Sequence, residues 1–263
     1  MTTLLMYLAV GAFAGTLAGL FGIGGGMIIV PAVLFALAAE GVGVDVMTHM
    51  AVATSLATIV FTSLSSIRAH HLKGAINWQM VSLMTMGIIV GTSLGVVLIA
   101  EVPGPLLLKI IGVFAALLGI QMFFGLQPRP GKSAPGHKEL GLAGAVIGFG
   151  SSWFGIGGGT FSVPYLSWRQ IEMRQAVATS AACGLPIALT GALTNIWSGW
   201  GNPALPAWST GFVYWPAVAG IVITSVPFAR LGAHLAHRLD QRKLKKAFAV
   251  LLIGVSIKFL TLS

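Results

Sequence analysis

Charge is what this sequence has least of. Only 8% of its 263 residues are Asp, Glu, Lys or Arg, against roughly a quarter in ordinary soluble domains. With 56% apolar residues and a mean hydropathy of +0.91, the chain cannot clothe a water-soluble surface, and a soluble globule is excluded. Dyad alternation of polar and apolar residues is also lacking, which excludes an outer-membrane barrel and leaves helices as the spanning elements. Cysteine is nearly absent: Cys183 stands alone, so there can be no intrachain disulfide or cysteine metal cluster, and it reads as a small buried apolar residue.

The apolar segments lack charge in particular. No Asp, Glu, Lys or Arg lies near the middle of any of them, which leaves no midplane counter-ion, proton-carrying carboxylate or metal cage. His-Glu-x-x-His, an Asp pair within spans, and a membrane Ser or Cys with a base partner are all missing, so an intramembrane enzyme has little support and no cofactor is expected. There is no ATP-binding motif, so energy must come from gradients or from a partner. If protons are coupled, their carrier is a His near a segment end (His49, His70, His71 or His234), a water chain, or the substrate.

What the chain does have is a hexapeptide carried twice. Phe21-Gly22-Ile23-Gly24-Gly25-Gly26 is followed by Pro31, and Phe154-Gly155-Ile156-Gly157-Gly158-Gly159 by Pro164 at the same interval. Ala51-Val52-Ala53-Thr54-Ser55 recurs as Ala176-Val177-Ala178-Thr179-Ser180, Gly74 and Trp78 match Gly211 and Trp215, and Leu94-Gly95 matches Leu231-Gly232. This is duplication along most of the chain.

Ten apolar segments follow from hydropathy: about 4–20, 27–39, 47–66, 76–100, 105–125, 140–153, 160–168, 175–197, 211–234 and 244–262. A Pro- and Gly-rich linker at 128–138 separates an N-terminal repeat (1–127) from a C-terminal one (139–263) within one membrane domain. Ala12-Phe13-Ala14 resembles a signal-peptidase site, but no Lys or Arg precedes the apolar run, and 4–20 is read as mature protein. The segment 160–168 is too short to cross a bilayer and 27–39 is marginal. Each half therefore reads as a glycine-tipped re-entrant hairpin, or a steeply tilted pair, followed by three spans. The fold class expected is an all-α polytopic membrane protein of two inverted repeats, each of about five helical segments, with broken helices at the midplane.

Charge agrees with an odd number of crossings per half. Thirteen of the fifteen Lys and Arg residues fall in loops on one side, and only Lys109 and Lys258, each within a segment, do not. The positive-inside rule makes that side cytoplasmic and puts both termini outside, in the inner (plasma) membrane. The net charge of +9 then orients the chain in the lipid bilayer, and nucleic acid is not an expected partner. Trp197, Trp200 and Trp208 form an outer aromatic belt, and Trp78 and Trp215 read as interfacial anchors.

Contiguous glycines break a helix at a depth where lipid cannot satisfy the freed backbone, so such breaks belong in a protein-lined cavity. Paired helix starts aimed at one point offer N–H groups and positive dipole ends to an anion. One helix end contributes only about 0.3–1 kcal/mol, while desolvating an anion costs several, so further donors are needed. The candidate substrate-binding residues are Gly22, Gly24, Gly25, Gly26, Thr54 and Ser55 in the first half. In the second half they are Gly155, Gly157, Gly158, Gly159, Thr179, Ser180 and Asn195. The bland alternative for the hydroxyls is a bond to the carbonyl one turn back. Gly11, Gly15, Gly19, Gly87, Gly91 and Gly95 read as close-packing positions instead.

The two Gly-Ile-Gly-Gly-Gly loops, their prolines and the paired Ala-Val-Ala-Thr-Ser strings resemble the TauE/SafE family, also called the 4-toluene sulfonate uptake permease family. The resemblance covers nearly all of both halves. It implies an inner-membrane secondary transporter of small sulfur-containing anions such as sulfite or organosulfonates, often an exporter, with a passive anion channel as the alternative. Arg169, Glu172, Met173 and Arg174 stand where the first half has a longer, uncharged-to-acidic connector, so the symmetry is imperfect there. Substrate, direction and coupling ion stay open, as does oligomeric state, with a homodimer among the alternatives.

Overall fold

A computed structural model of the chain describes residues 2–21, 26–125, 135–236 and 241–261. The chain is 82% helical. The first half contains α1 (Thr2–Phe21), α2 (Gly26–Ala39), α3 (Val44–His71), α4 (Trp78–Ala100) and α5 (Gly104–Phe124). The second contains α6 (His137–Trp153), α7 (Gly159–Trp168), α8 (Met173–Ser198), α9 (Trp215–Ala236) and α10 (Gln241–Thr261). The linker expected at 128–138 lies largely outside the described residues, and α6 begins within it.

Length sorts these helices. At about 1.5 Å per residue and roughly 30 Å of hydrocarbon, α3, α4, α5 and α8 are long and apolar enough to cross a membrane. The 10 residues of α7 reach only about 15 Å. The polar contacts show where the short helices go. Tyr7, early in α1, donates its hydroxyl to Glu40, just past α2, at 2.6 Å, so α2 returns to the side from which α1 departed. Arg169, just past α7, pairs with Glu139 in the first turn of α6 at 2.6 Å, and α7 likewise turns back.

The packing interlocks the halves. The largest helix pairs are α1 with α9, α4 with α6, α5 with α10 and α3 with α8, and exchanging the halves leaves this set unchanged. Glycine makes the first two pairs close. A Cβ at Gly148 would meet the Ile88 carbonyl oxygen at 2.6 Å, and Gly11 and Gly15 lie against the backbone of Ile221 and Ser225. Gly87 and Gly91 lie against the Gly141 and Ala145 backbone, and Gly95 against Ser152 Oγ and Phe149. Such contact lets dispersion hold helices together where lipid removes the hydrophobic drive. The surroundings of Gly19 lie outside the described residues. Gly91→Leu is therefore expected to cost about 1–3 kcal/mol through overpacking, read as a lower thermal midpoint and loss of a monodisperse gel-filtration peak. Gly254→Leu, at a lipid-facing position with nothing within 4 Å, should leave both unchanged.

One segment differs from expectation. Residues 211–214, expected to be helical, form the turn and second strand of a small antiparallel ribbon, β1 (Ser209–Thr210) with β2 (Val213–Tyr214). Gly211 adopts φ +54°, and Phe212, Val213 and Tyr214 are tucked inward. The helix starts only at Trp215, with Pro216 in its first turn where a missing N–H costs nothing. Trp197, Trp200 and Trp208 are 71%, 73% and 81% exposed, at the end of α8 and in the loop beyond it.

Candidate functional site

The second glycine run forms the turn between α6 and α7. Ile156 N–H donates to the Ser151 carbonyl at 3.1 Å, closing the turn. Gly155 sits at φ +59°, a left-handed conformation natural to glycine, and a Cβ there would meet Val30 Cγ2 at 2.7 Å and Val52 Cα at 3.1 Å. Gly155, Ile156, Gly157 and Gly158 are all buried.

The first half closes on this turn. Gly26 begins α2, and a Cβ on it would meet the Gly155 carbonyl oxygen at 2.6 Å and Ile156 Cα at 2.8 Å. Ser55, from α3, donates its hydroxyl to the same Gly155 carbonyl at 2.7 Å. Gly158 lies against α8, with Ser180 O at 2.5 Å and Gly184 N at 3.0 Å from a hypothetical Cβ. Gly157 is less confined, with Ile59 Cγ2 at 3.3 Å, and Gly159 opens α7. Gly22, Gly24 and Gly25 lie outside the described residues.

Several buried polar groups around this turn have no protein partner. Ser180 Oγ, Ser162 Oγ and Ser151 Oγ are buried and unbonded among the described residues. All three belong to one neighbourhood: Ser151 accepts from Ile156, Ser162 N–H donates to Gly158 O at 2.8 Å, and Ser180 touches Gly158. The N–H groups of Gly157 and Gly158 donate to no backbone carbonyl among the described residues. An unpaired buried donor costs roughly 1–3 kcal/mol, so this density of donors is suited to a ligand that only accepts, as an oxyanion does.

The other expected site residues are placed differently. Thr54 Oγ1 accepts from Tyr214 N–H at 3.1 Å, and Thr179 Oγ1 accepts from Asn77 N–H at 3.1 Å. Each threonine thereby steadies the residue before the first residue of α9 or α4, in the opposite half. Neither hydroxyl bonds the carbonyl one turn back. Asn195 donates to its own helix at Gly191 O, 2.8 Å away, and stands about 22 Å along α8 from Ser180. Ser151 and Ser162 escape a reading by duplication, because their counterparts in the first half are Ala18 and Ile29. The available signal was a hydroxyl one turn either side of the glycines.

Two carboxylates tie the open ends of the hairpins. Glu40 accepts from Tyr7 at 2.6 Å and from Tyr214 at 3.0 Å. Burial, then the bond to Glu40 and its negative charge, push the Tyr214 phenol up to about 12, so it stays a donor. Glu139 accepts from Arg169 at 2.6 Å and from Tyr165 at 3.2 Å. His49, buried beside Phe212, has ring nitrogens 3.2 Å from Asp45 O and 2.9 Å from Ile99 O. It lines a cavity of about 270 Å³ with Asp45, Glu101 and Asn202.

With this geometry established, comparison with known sequences decides the family. The family described as "Sulfite exporter TauE/SafE" matches residues 7–259. The chain belongs to this family. A "probable membrane transporter protein" of Haemophilus influenzae is 39% identical over 261 residues, covering 97% of each chain. One from Methanocaldococcus jannaschii is 27% identical over 246 residues, covering 91% of this chain and 89% of its own. YunE of Bacillus subtilis, also a "probable membrane transporter protein", is 25% identical over 272 residues, covering 95% and 94%. No solved structure matches. As a TauE/SafE protein the chain is a multi-pass membrane transporter, and its helices are those of a polytopic membrane protein.

Proposed function

We propose that this TauE/SafE protein is a secondary transporter of small sulfur oxyanions, sulfite or an organosulfonate, held at the turn Gly155–Gly159 beneath the start of α2. One observation carries the reading: the N–H groups of Gly157 and Gly158 in that turn, and the hydroxyls of three buried serines whose backbones touch it, have no protein acceptor among the described residues, and no described lysine or arginine shares the site. Dipoles and hydroxyls would replace the anion's water, while the absence of a fixed cation keeps the ion from being trapped. The exchangeable pairing of the halves and the hairpins that open to opposite sides suit two inverted repeats that rock about the site to expose it alternately. Arg174 reaches the Lys73 carbonyl on the side of Glu139 and Arg169, and the positive-inside rule makes that basic side cytoplasmic. The N-terminus and Glu40 are then external.

Flux of radiolabelled sulfite and sulfonates through proteoliposomes tests this. Saturable movement without unitary current is the expected result. Resolvable single-channel current would make the protein a passive anion channel, and no movement of any such anion would end the reading.

A further inference from the structure

The sequence offers no carboxylate in mid-span, but the fold brings one into the protein. Glu40 follows the last turn of α2, and its two oxygens are held by phenols from two other elements, Tyr7 of α1 and Tyr214 of β2. Tyr7 is fully buried, and its ring meets that of Tyr214 edge-on at 6.1 Å. The turn beside Glu40 is open to water, since Gly41 and Gly43 are exposed.

No described cation pairs with this carboxylate. Among the described residues the one ion pair is that of Arg169 with Glu139. Around Glu40, α1 contributes Tyr7 and the ribbon contributes Tyr214, while the first turn of α3 holds Asp45 and α10 holds Lys258. Lys258 lies over the Phe35 ring at 4.7 Å, and Asp45 carries a like charge. His49, on α3, is engaged by the carbonyls of Asp45 and Ile99. The ligand suited to such a site is a proton. A metal ion needs acceptor oxygens, but both phenols aim donors at Glu40.

We propose that Glu40 is the proton-binding residue that couples anion movement to the proton gradient. The inference rests on the transport reading above. Ionised Glu40 accepts from both phenols and so ties the α1–α2 hairpin to the strand leading into α9. When a proton from the water outside binds Oε2, that oxygen becomes a donor, the Tyr214 hydroxyl must turn to accept from it, and a charge-assisted bond becomes a weaker neutral one. Tyr7 has the shorter bond and no exposure, so the longer bond to Tyr214 is the one that weakens.

The loosened strand leads to the anion site. Tyr214 N–H is held by Thr54, and the next residue, Ser55, holds the Gly155 carbonyl of the glycine turn. Proton binding at the outer end therefore acts through two hydrogen bonds on the loop that holds the anion. This supplies the titrating group that the apolar segments lack.

The full-length protein in proteoliposomes tests this with labelled sulfite in two assays. One is counterflow at equal pH; the other is accumulation under a pH gradient. With one proton per anion, each pH unit supports up to about tenfold accumulation in the parent. Glu40→Gln should lose accumulation while counterflow persists. Accumulation by Glu40→Gln equal to the parent's would overturn the proposal and assign the proton to the substrate or another group. Absence of counterflow in the parent would count against the transport reading, and infrared spectroscopy in detergent then decides the proton site independently. The protonated-carboxyl band that grows as pH falls in the parent should lose one component, that of Glu40, in Glu40→Gln; identical spectra overturn the assignment. If Glu40→Gln does not fold, Tyr214→Phe keeps the carboxylate but removes a donor. It should move the titration of that band to higher pH, and an unmoved titration is the contrary result.

Discussion

Ser180→Ala is expected to weaken anion binding while leaving the folded protein no less stable. Most core substitutions lower both, so the opposite signs are diagnostic. Ser180 Oγ is buried without a partner, and an unpaired polar group of this kind costs roughly 1 kcal/mol or more in the ligand-free protein. Alanine removes that cost and leaves only a small volume change, so the thermal midpoint should rise by about 2–4 °C per kcal/mol relieved. With the anion bound the balance reverses. A hydrogen bond to a charged acceptor contributes about 1.5–3 kcal/mol, which is roughly tenfold to a hundredfold in Kd. Ser162→Ala should behave alike. A sulfite titration followed by thermal shift reads both quantities in one experiment. A drop in stability with unchanged affinity would make these serines structural.

Thr54→Val is expected to act in the opposite way, destabilising the protein before any ligand is added. Its hydroxyl is the acceptor for the buried Tyr214 N–H, and valine keeps the shape while leaving that donor unpaired. The cost is about 1–3 kcal/mol, a fall of about 2–4 °C in midpoint for each. Thr179→Val repeats the experiment at Asn77, where partial exposure lets water replace part of the lost bond, so the effect should be smaller. Thr54→Ser, retaining the hydroxyl, should restore most of the stability. If Thr54→Val matches the parent in stability but loses sulfite affinity, the hydroxyl faces the anion instead.

Much of the architecture was legible because duplication and hydropathy are both written in the sequence. The paired hexapeptides marked the breaks, and the glycines at 11, 15, 87, 91 and 95 announced the contacts that bring α1 to α9 and α4 to α6. The ribbon at 209–214 was hidden, since Phe212, Val213 and Tyr214 continue an apolar run whose period does not distinguish two short strands from the start of a helix. In the candidate site, Gly26 lies against Gly155 and Ser55 reaches its carbonyl; both residues stand in the repeated strings, but the contact each makes is set by folding. Thr54 and Thr179 were visible as a pair, but residue type cannot say that each serves the opposite half. Ser151, Ser162 and Glu40 could not be found by symmetry at all, because each stands where the other half has a different residue. Their importance comes from what folding puts next to them.

The most direct measurement is the position of a bound anion. Crystals of the protein grown with selenite, a heavier analogue of sulfite, can be mapped by anomalous scattering. The expected result is a peak within hydrogen-bond reach of Ser162, Ser180 and the N–H groups of Gly157 and Gly158. Selenite found only among the basic loops near Lys73 and Arg174, with none at the glycine turn, would contradict the central claim that the meeting of the two halves at this turn forms the anion site.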